Sequence, residues 1–145
     1  MTASLAGYLA SAGAPLYSAA KHGIVGLMRA MKQELAKLNI AISVVAPGIT
    51  MTPILSVNRK VETVEDWASK MRNQGVPINT AEAIALAVCW LIDGGMSGNG
   101  KGLLVQENEI GELETGLAKT RNIWMGERML KLFRGGREAP LFSRI

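Results

Sequence analysis

Seven consecutive residues, Ile40-Ala41-Ile42-Ser43-Val44-Val45-Ala46, are almost wholly apolar and rich in β-branched side chains, and the run stops at Pro47-Gly48. The run is too short for an ordinary helix, and its lack of alternation leaves no face for water. It therefore predicts a strand buried on both sides, the signature of a parallel sheet covered by helices. Just upstream, Leu16, Ala20, Ile24, Leu27, Met28, Met31, Leu35 and Leu38 recur at three- and four-residue steps. That spacing predicts a one-sided helix over 16–38, opened by Pro15 at a position where proline costs no hydrogen bond. Small residues Ala19, Ala20, Gly23 and Gly26 would let a neighbour approach this helix closely. Residues 4–15, rich in Gly, Ala and Ser, read as the loop that feeds it.

Downstream, residues 49–78 carry Pro53, Gly75 and Pro77 among scattered polar residues and read as a mobile segment. One short helix over 64–72 would place Trp67 and Met71 on a common face. Asn79-Thr80-Ala81-Glu82 offers a cap with Glu three residues on, followed by Ala83, Ile84, Ala87, Val88 and Leu91 at helical spacing and closed by Gly94-Gly95. Gly102-Leu103-Leu104-Val105-Gln106 predicts a last short strand, and 112–134 an amphipathic helix carrying Leu113, Leu117, Trp124, Met125, Met129 and Leu132. Helix, buried strand, helix and strand in this order make up part of a doubly wound α/β sheet. Six βα units of roughly 30 residues need about 180, whereas the chain has 145. The expected architecture is thus an incomplete doubly wound α/β sheet over residues 1–115. A basic helical tail, 116–145, follows it.

Composition narrows the functional classes. With 48% hydrophobic and 19% charged residues the chain is globular and not disordered. It contains no apolar run of about 18 residues and no basic-flanked leader, so a cytoplasmic protein without a membrane span is expected. The single cysteine, Cys89, rules out an internal disulfide, and one Cys with one His, His22, cannot build a structural zinc site. The formal charge of +4 is unevenly spread: residues 116–145 hold seven Lys/Arg against Glu127 and Glu138, a balance of +5, which leaves −1 for the rest. No base-stacking aromatic pattern accompanies the tail's charge, so no nucleic-acid partner is expected.

Tyr17 and Lys21 stand four apart near the start of the long helix and so share one face. An ammonium beside a phenol favours the phenolate, which makes such a pair a proton-transfer group at a carbonyl or carbinol oxygen. The pair alone is common by chance on surface helices. It gains weight from Ser4 in Ser4-Leu5-Ala6-Gly7, thirteen residues earlier, and from Pro47-Gly48-Ile49-Thr50-Met51-Thr52 after the buried strand. With Tyr17-Ser18-Ala19-Ala20-Lys21-His22-Gly23, these stretches resemble the short-chain dehydrogenase/reductase family, closely over 1–53 and in outline over 79–106. The subgroup that looks most similar includes hydroxyprostaglandin dehydrogenase and many fungal secondary-metabolite enzymes.

The resemblance implies that the chain is the carboxyl-terminal part of a Rossmann-type doubly wound parallel sheet, truncated at the amino terminus, and an NAD- or NADP-dependent oxidoreductase that moves a hydride between nicotinamide and a small alcohol or ketone. Tyr17 would be the general acid/base. Lys21 would favour its phenolate and hold the nicotinamide ribose, and Ser4 would bond the substrate oxygen. Ile49 and Thr52 would meet the nicotinamide carboxamide, with Pro47 and Gly48 shaping that turn. A homo-oligomer would form through the helix 16–38. The sequence departs from the family in having no Gly-rich phosphate loop, no Asn-Asn-Ala-Gly strand and no relay asparagine; glycines 94, 95, 98, 100 and 102 stand between a helix and a strand, the wrong order for a dinucleotide fingerprint. The alternative expectation is therefore a non-catalytic paralogue that acts as an interaction module. His22 reads as a surface histidine, Cys89 as a small core residue, and Trp67, Met51, Ile54 and Leu55 as pocket or core-closing residues.

Overall fold

A computed structural model of the chain describes residues 1–55 and 63–138. Its backbone falls into two compact units, Met1–Leu113 and Glu114–Ile145. In the first, β1 (Val44–Pro47) pairs in parallel with β2 (Gly102–Gln106), Val44 opposite Gly102 and Pro47 opposite Val105. β2 pairs antiparallel with β3 (Glu109–Glu112), giving the sheet order β1-β2-β3. Helices α1 (Pro15–Lys37), α2 (Val64–Asn73) and α3 (Ala81–Asp93) complete the unit, with short 3-10 turns at Leu5–Gly7, Pro53–Leu55 and Gly95–Gly98.

The alternation of β1 decides which helix covers which face. Val44 and Ala46 pack with Ala3, Val25 and Met28 on the α1 side. Val45 packs with Ala87, Leu103 and Val105 on the α3 side. All three β1 valine and alanine side chains are buried, as expected of a strand sandwiched between helices. The strand is shorter than the apolar run predicts, because at Ile42 the side chain of Asn99 takes the place of a backbone ladder partner. Ile42 donates its N–H to Asn99 Oδ1 at 3.0 Å and accepts at its carbonyl from the Gly100 N–H at 2.7 Å. Asn99 also donates through Nδ2 to the Lys32 carbonyl, so one side chain ties this crossing to α1.

Along the other edge of β1, residues 1–3 run parallel to it. The Ala3 N–H donates to the Val45 carbonyl at 2.8 Å, and the Val45 N–H to the Met1 carbonyl at 3.0 Å. This brief fourth segment delivers Ser4 to the same end of the sheet as Pro47.

Several expectations are corrected. α1 buries Val25 and Met28, while Leu16, Leu27, Met31 and Leu38 from the apolar stripe are exposed. The cap of α3 is Thr80, whose Oγ1 accepts from the Ala83 N–H, and not Asn79. Cys89 lies on the surface of α3 and not in the core. β3 was not anticipated: Glu107 and Asn108 both adopt positive φ, 52° and 66°, and so form the tight two-residue hairpin turn that matches strand twist. The single helix expected over 112–134 is three, α4 (Glu114–Lys119), α5 (Arg121–Met125) and α6 (Glu127–Glu138), with Glu112 closing β3. Gly126, at φ 73° and ψ 151°, stops α5, and Thr120 bonds back to the Gly116 carbonyl at the first break.

Of the segment 49–78 expected to be mobile, residues 56–62 lie outside the described residues, as does Arg144 of the tail. The remainder is packed, with Trp67 and Ala68 of α2 buried against Ile78, Met51, Leu55, Met71 and Val76. Among the described residues no helix is long and apolar enough to cross a membrane.

Candidate active site

Ser4 has extended backbone and opens the 3-10 turn Leu5–Gly7 by accepting from the Ala6 N–H at 3.2 Å. Its Oγ donates to the Pro47 carbonyl at 3.4 Å, a long bond that spans the carboxyl ends of the two parallel segments. The turn is held against α1 by Gly7: a Cβ there would stand 2.7 Å from the Lys21 carbonyl oxygen and 3.2 Å from Val25 Cγ2. Only a residue without a side chain allows this approach.

Tyr17 is the third residue of α1 and is half exposed. Its hydroxyl makes no hydrogen bond among the described residues. The Lys21 ammonium lies 5.6 Å from the centroid of its ring and donates to the Thr2 carbonyl at 3.1 Å, which leaves two of its protons uncommitted. Lys21 thereby ties α1 to the segment that carries Ser4.

A cavity of about 510 Å³ opens at this end of the sheet. Ser4, Tyr17, Gly48, Ile49, Thr50 and Thr52 line it, and Leu5, Leu9, Ile54 and Leu55 give it an apolar wall. Of the seven residues singled out from sequence, five share this lining: Ser4, Tyr17, Gly48, Ile49 and Thr52. Lys21 and Pro47 stand behind it, the first against the Tyr17 ring and the second as the acceptor for Ser4. Met51 and Trp67 belong to the packed cluster under α2 and not to the lining. His22 is exposed and donates from Nδ1 to the Ser18 carbonyl at 2.9 Å.

Asn79 is a residue that sequence reasoning did not find. It is fully buried and its main chain brackets the cavity turn, the N–H donating to the Ile49 carbonyl and its carbonyl accepting from the Met51 N–H, both at 2.8 Å. Its side chain donates through Nδ2 to the Val105 carbonyl at 2.8 Å and accepts at Oδ1 from the Asn108 N–H at 2.9 Å. Through its main chain and its side chain together, this one residue fastens the turn 49–51 to the end of β2 and to the hairpin. A cap signal was visible at this position in sequence, but a cap and a hub use the same residue type.

Gly48 is also positional, since a Cβ there would collide with Gln106 Oε1. That oxygen is buried without a hydrogen-bond partner among the described residues.

A parallel strand ending in a turn, with a helix start beside it and a pocket at its carboxyl end, is the layout of nucleotide-dependent α/β enzymes. A family model for short chain dehydrogenase matches residues 1–80, more than half of the chain, and the chain belongs to that family. A short-chain dehydrogenase/reductase, prx4, of Penicillium rubens is 31% identical over an alignment covering 88% of this chain and 42% of the relative. An acetoacetyl-CoA reductase from an Acinetobacter species is 40% identical over 52% of this chain and 29% of its own length. Among solved structures, acetoin dehydrogenase YohF from Salmonella typhimurium superposes with a TM-score of 0.56 at 27% identity, over 74% of this chain and 42% of that one. The resemblance read from Ser4, the Tyr17 block and Pro47-Gly48 is therefore borne out, and so is the Rossmann-type α/β class. The chain spans less than half the length of these relatives.

Proposed function

We propose that the cavity at the carboxyl end of β1 is the nicotinamide and substrate end of an NAD- or NADP-dependent oxidoreductase site that acts on a small alcohol or ketone. The observation that carries this reading is the Tyr17 hydroxyl, without a hydrogen-bond partner among the described residues, in the same lining as the Ser4 hydroxyl and the turn 48–52. The donor set suits the group. Two hydroxyls can meet one substrate oxygen, Thr52 offers a further hydroxyl beside apolar Ile49 for a carboxamide, and Lys21 has protons left for a ribose hydroxyl. The chemistry such a cofactor supplies when bound is the transfer of a hydride to or from the substrate carbon.

The chain's own residues manage the oxygen. Tyr17 donates a proton to it in reduction and takes one back in oxidation. Ser4 exchanges its long bond to the Pro47 carbonyl for a bond to the same oxygen, stabilising the charge that develops there. Lys21 holds its ammonium beside the Tyr17 ring while tied to the Thr2 carbonyl. This chemistry is assigned to residues 1–115 and none of it to 116–145. The similarity to Penicillium proteins supports a substrate from a fungal biosynthetic pathway.

The test reads binding and turnover separately. Nicotinamide mononucleotide titrated into the isotopically labelled full chain is expected to move the amide resonances of Ile49, Thr50 and Thr52 in NMR spectra, with and without Tyr17→Phe. Oxidation of NADH or NADPH by a panel of small ketones is expected to depend on Tyr17. Resonance shifts confined to surfaces away from residues 4 and 48–52 would overturn the proposal.

A further inference from the structure

The second unit contains a cavity of its own, of about 590 Å³, lined by side chains of α4, α5 and α6. Its cations are Lys119, Arg121, Lys131 and Arg134, with Glu127 as the one carboxylate, a net charge of +3 around one concavity. The geometry follows from helical spacing. Glu127, Leu130, Lys131 and Arg134 recur at i, i+3, i+4 and i+7 and so form one face of α6. Ala118, Lys119, Arg121 and Asn122 come from the corner where α4 gives way to α5, and they complete the lining. Leu130 is buried beneath it.

We propose that this cavity is a binding site for a small phosphate-bearing anion. None of the four cations forms an ion pair or a side-chain hydrogen bond among the described residues, and Arg121 is only partly exposed. Four like charges around one cavity repel one another, and a single carboxylate leaves most of that repulsion uncompensated. A chain selected only for a solvated surface has no need to gather its cations around a concavity. The volume lies within the range of small-ligand pockets. Two guanidiniums supply the planar forks that grip phosphate oxygens in pairs, and two ammoniums add point charges. Asn122 adds a neutral donor, and Ala118 with Leu130 adds apolar contact for an organic substituent. The site is independent of the oxidoreductase reading, because no residue of the first unit lines it.

The experiment is calorimetric titration of the full chain with inorganic pyrophosphate at low ionic strength, repeated in added salt. Arg121→Gln and Arg134→Gln are each expected to weaken binding at least ~10-fold, the order set by losing one charge-assisted pair. Arg128→Gln is the control: it removes the same charge from the same helix as Arg134→Gln but does not line the cavity. It is expected to change affinity less than about 2-fold, a difference that bulk charge alone cannot produce. Circular dichroism of each variant checks that α4 to α6 persist. Vesicles carrying phosphatidic acid form a second arm. Pyrophosphate binding without vesicle binding assigns a free phosphate compound, and vesicle binding lost in both Arg variants assigns the same chemistry to a lipid headgroup. Absence of pyrophosphate binding, or equal weakening by Arg128→Gln, would overturn the site.

Discussion

Asn79→Ala tests the architecture beneath the cavity without reference to any ligand. The substitution deletes two side-chain hydrogen bonds, Nδ2 to the Val105 carbonyl and Oδ1 from the Asn108 N–H. The Val105 carbonyl keeps a second donor, the Gly48 N–H at 2.9 Å, so it is not orphaned and its loss costs about 0.5–1.5 kcal/mol. The Asn108 N–H loses its only acceptor among the described residues, but Asn108 is exposed and water can replace it, so this loss too costs about 0.5–1.5 kcal/mol. The combined expectation is about 1–3 kcal/mol, a large share of what a domain of this size has to lose. Urea unfolding of the full chain reads it as a lower midpoint at unchanged slope. Asn79→Asp separates hydrogen bonding from cavity formation. It preserves the volume and the acceptor for Asn108, yet points an ionised oxygen at the Val105 carbonyl. Burial and that carbonyl raise the introduced carboxyl's pKa above its unfolded value near 4, so this variant is expected to lose stability as pH rises from about 4 and to recover it on acidification. A loss below about 0.5 kcal/mol for Asn79→Ala, or a pH-independent deficit for Asn79→Asp, would refute the hub.

Tyr17→Phe is expected to lower turnover by about 100-fold or more with cofactor affinity nearly unchanged, and Ser4→Ala to lower it by roughly 100- to 1000-fold; steady-state kinetics with a separate cofactor titration checks both. Gly7→Val should push the Ser4 turn off α1, because even its Cβ falls 2.7 Å from a backbone oxygen, and thermal melts should show destabilisation of about 1–3 kcal/mol. The exposed Leu16, Leu27, Met31 and Leu38 of α1 predict self-association, seen by sedimentation as a dimer or larger that Leu27→Glu with Met31→Glu converts to monomer.

The elements that sequence made legible are those encoded by short-range pattern. Pro15 marked the start of α1, and the run of residues 40–46 announced a strand covered on two faces, as the burial of Val44, Val45 and Ala46 shows. The features that escaped it depend on contacts between distant residues. The face of α1 is an example: periodicity identified an apolar stripe, but only the sheet decides that Val25 lies inside and Leu27 outside, and a stripe this wide has two candidate centres. The hairpin escaped for a local reason. Its turn demands positive φ at both central residues, which sequences usually advertise with glycine, and here Glu107 fills one of the two places.

The candidate site shows the same division. Ser4, Tyr17 and the turn 48–52 were legible through the family resemblance that their motifs carry together, since the Tyr17 and Lys21 spacing alone is common by chance. The parts that hold them in place were not. Gly7 works by having no side chain, Lys21 works partly through a backbone carbonyl of Thr2, and Asn79 works by joining segments that each lie 26 to 30 residues from it in sequence. None of these roles leaves a local spacing to read. The consequence is physical: the groups proposed to meet the substrate are anchored by only a few long-range bonds, Ser4 by residues 1–3 along β1 and its own bond to Pro47, and the turn 48–52 by Asn79 and the Gly48 N–H on the Val105 carbonyl. Loosening either anchor displaces the reacting hydroxyls by the fraction of an ångström that proton transfer cannot tolerate, so loss of turnover should precede loss of fold in variants of Gly7 and Asn79.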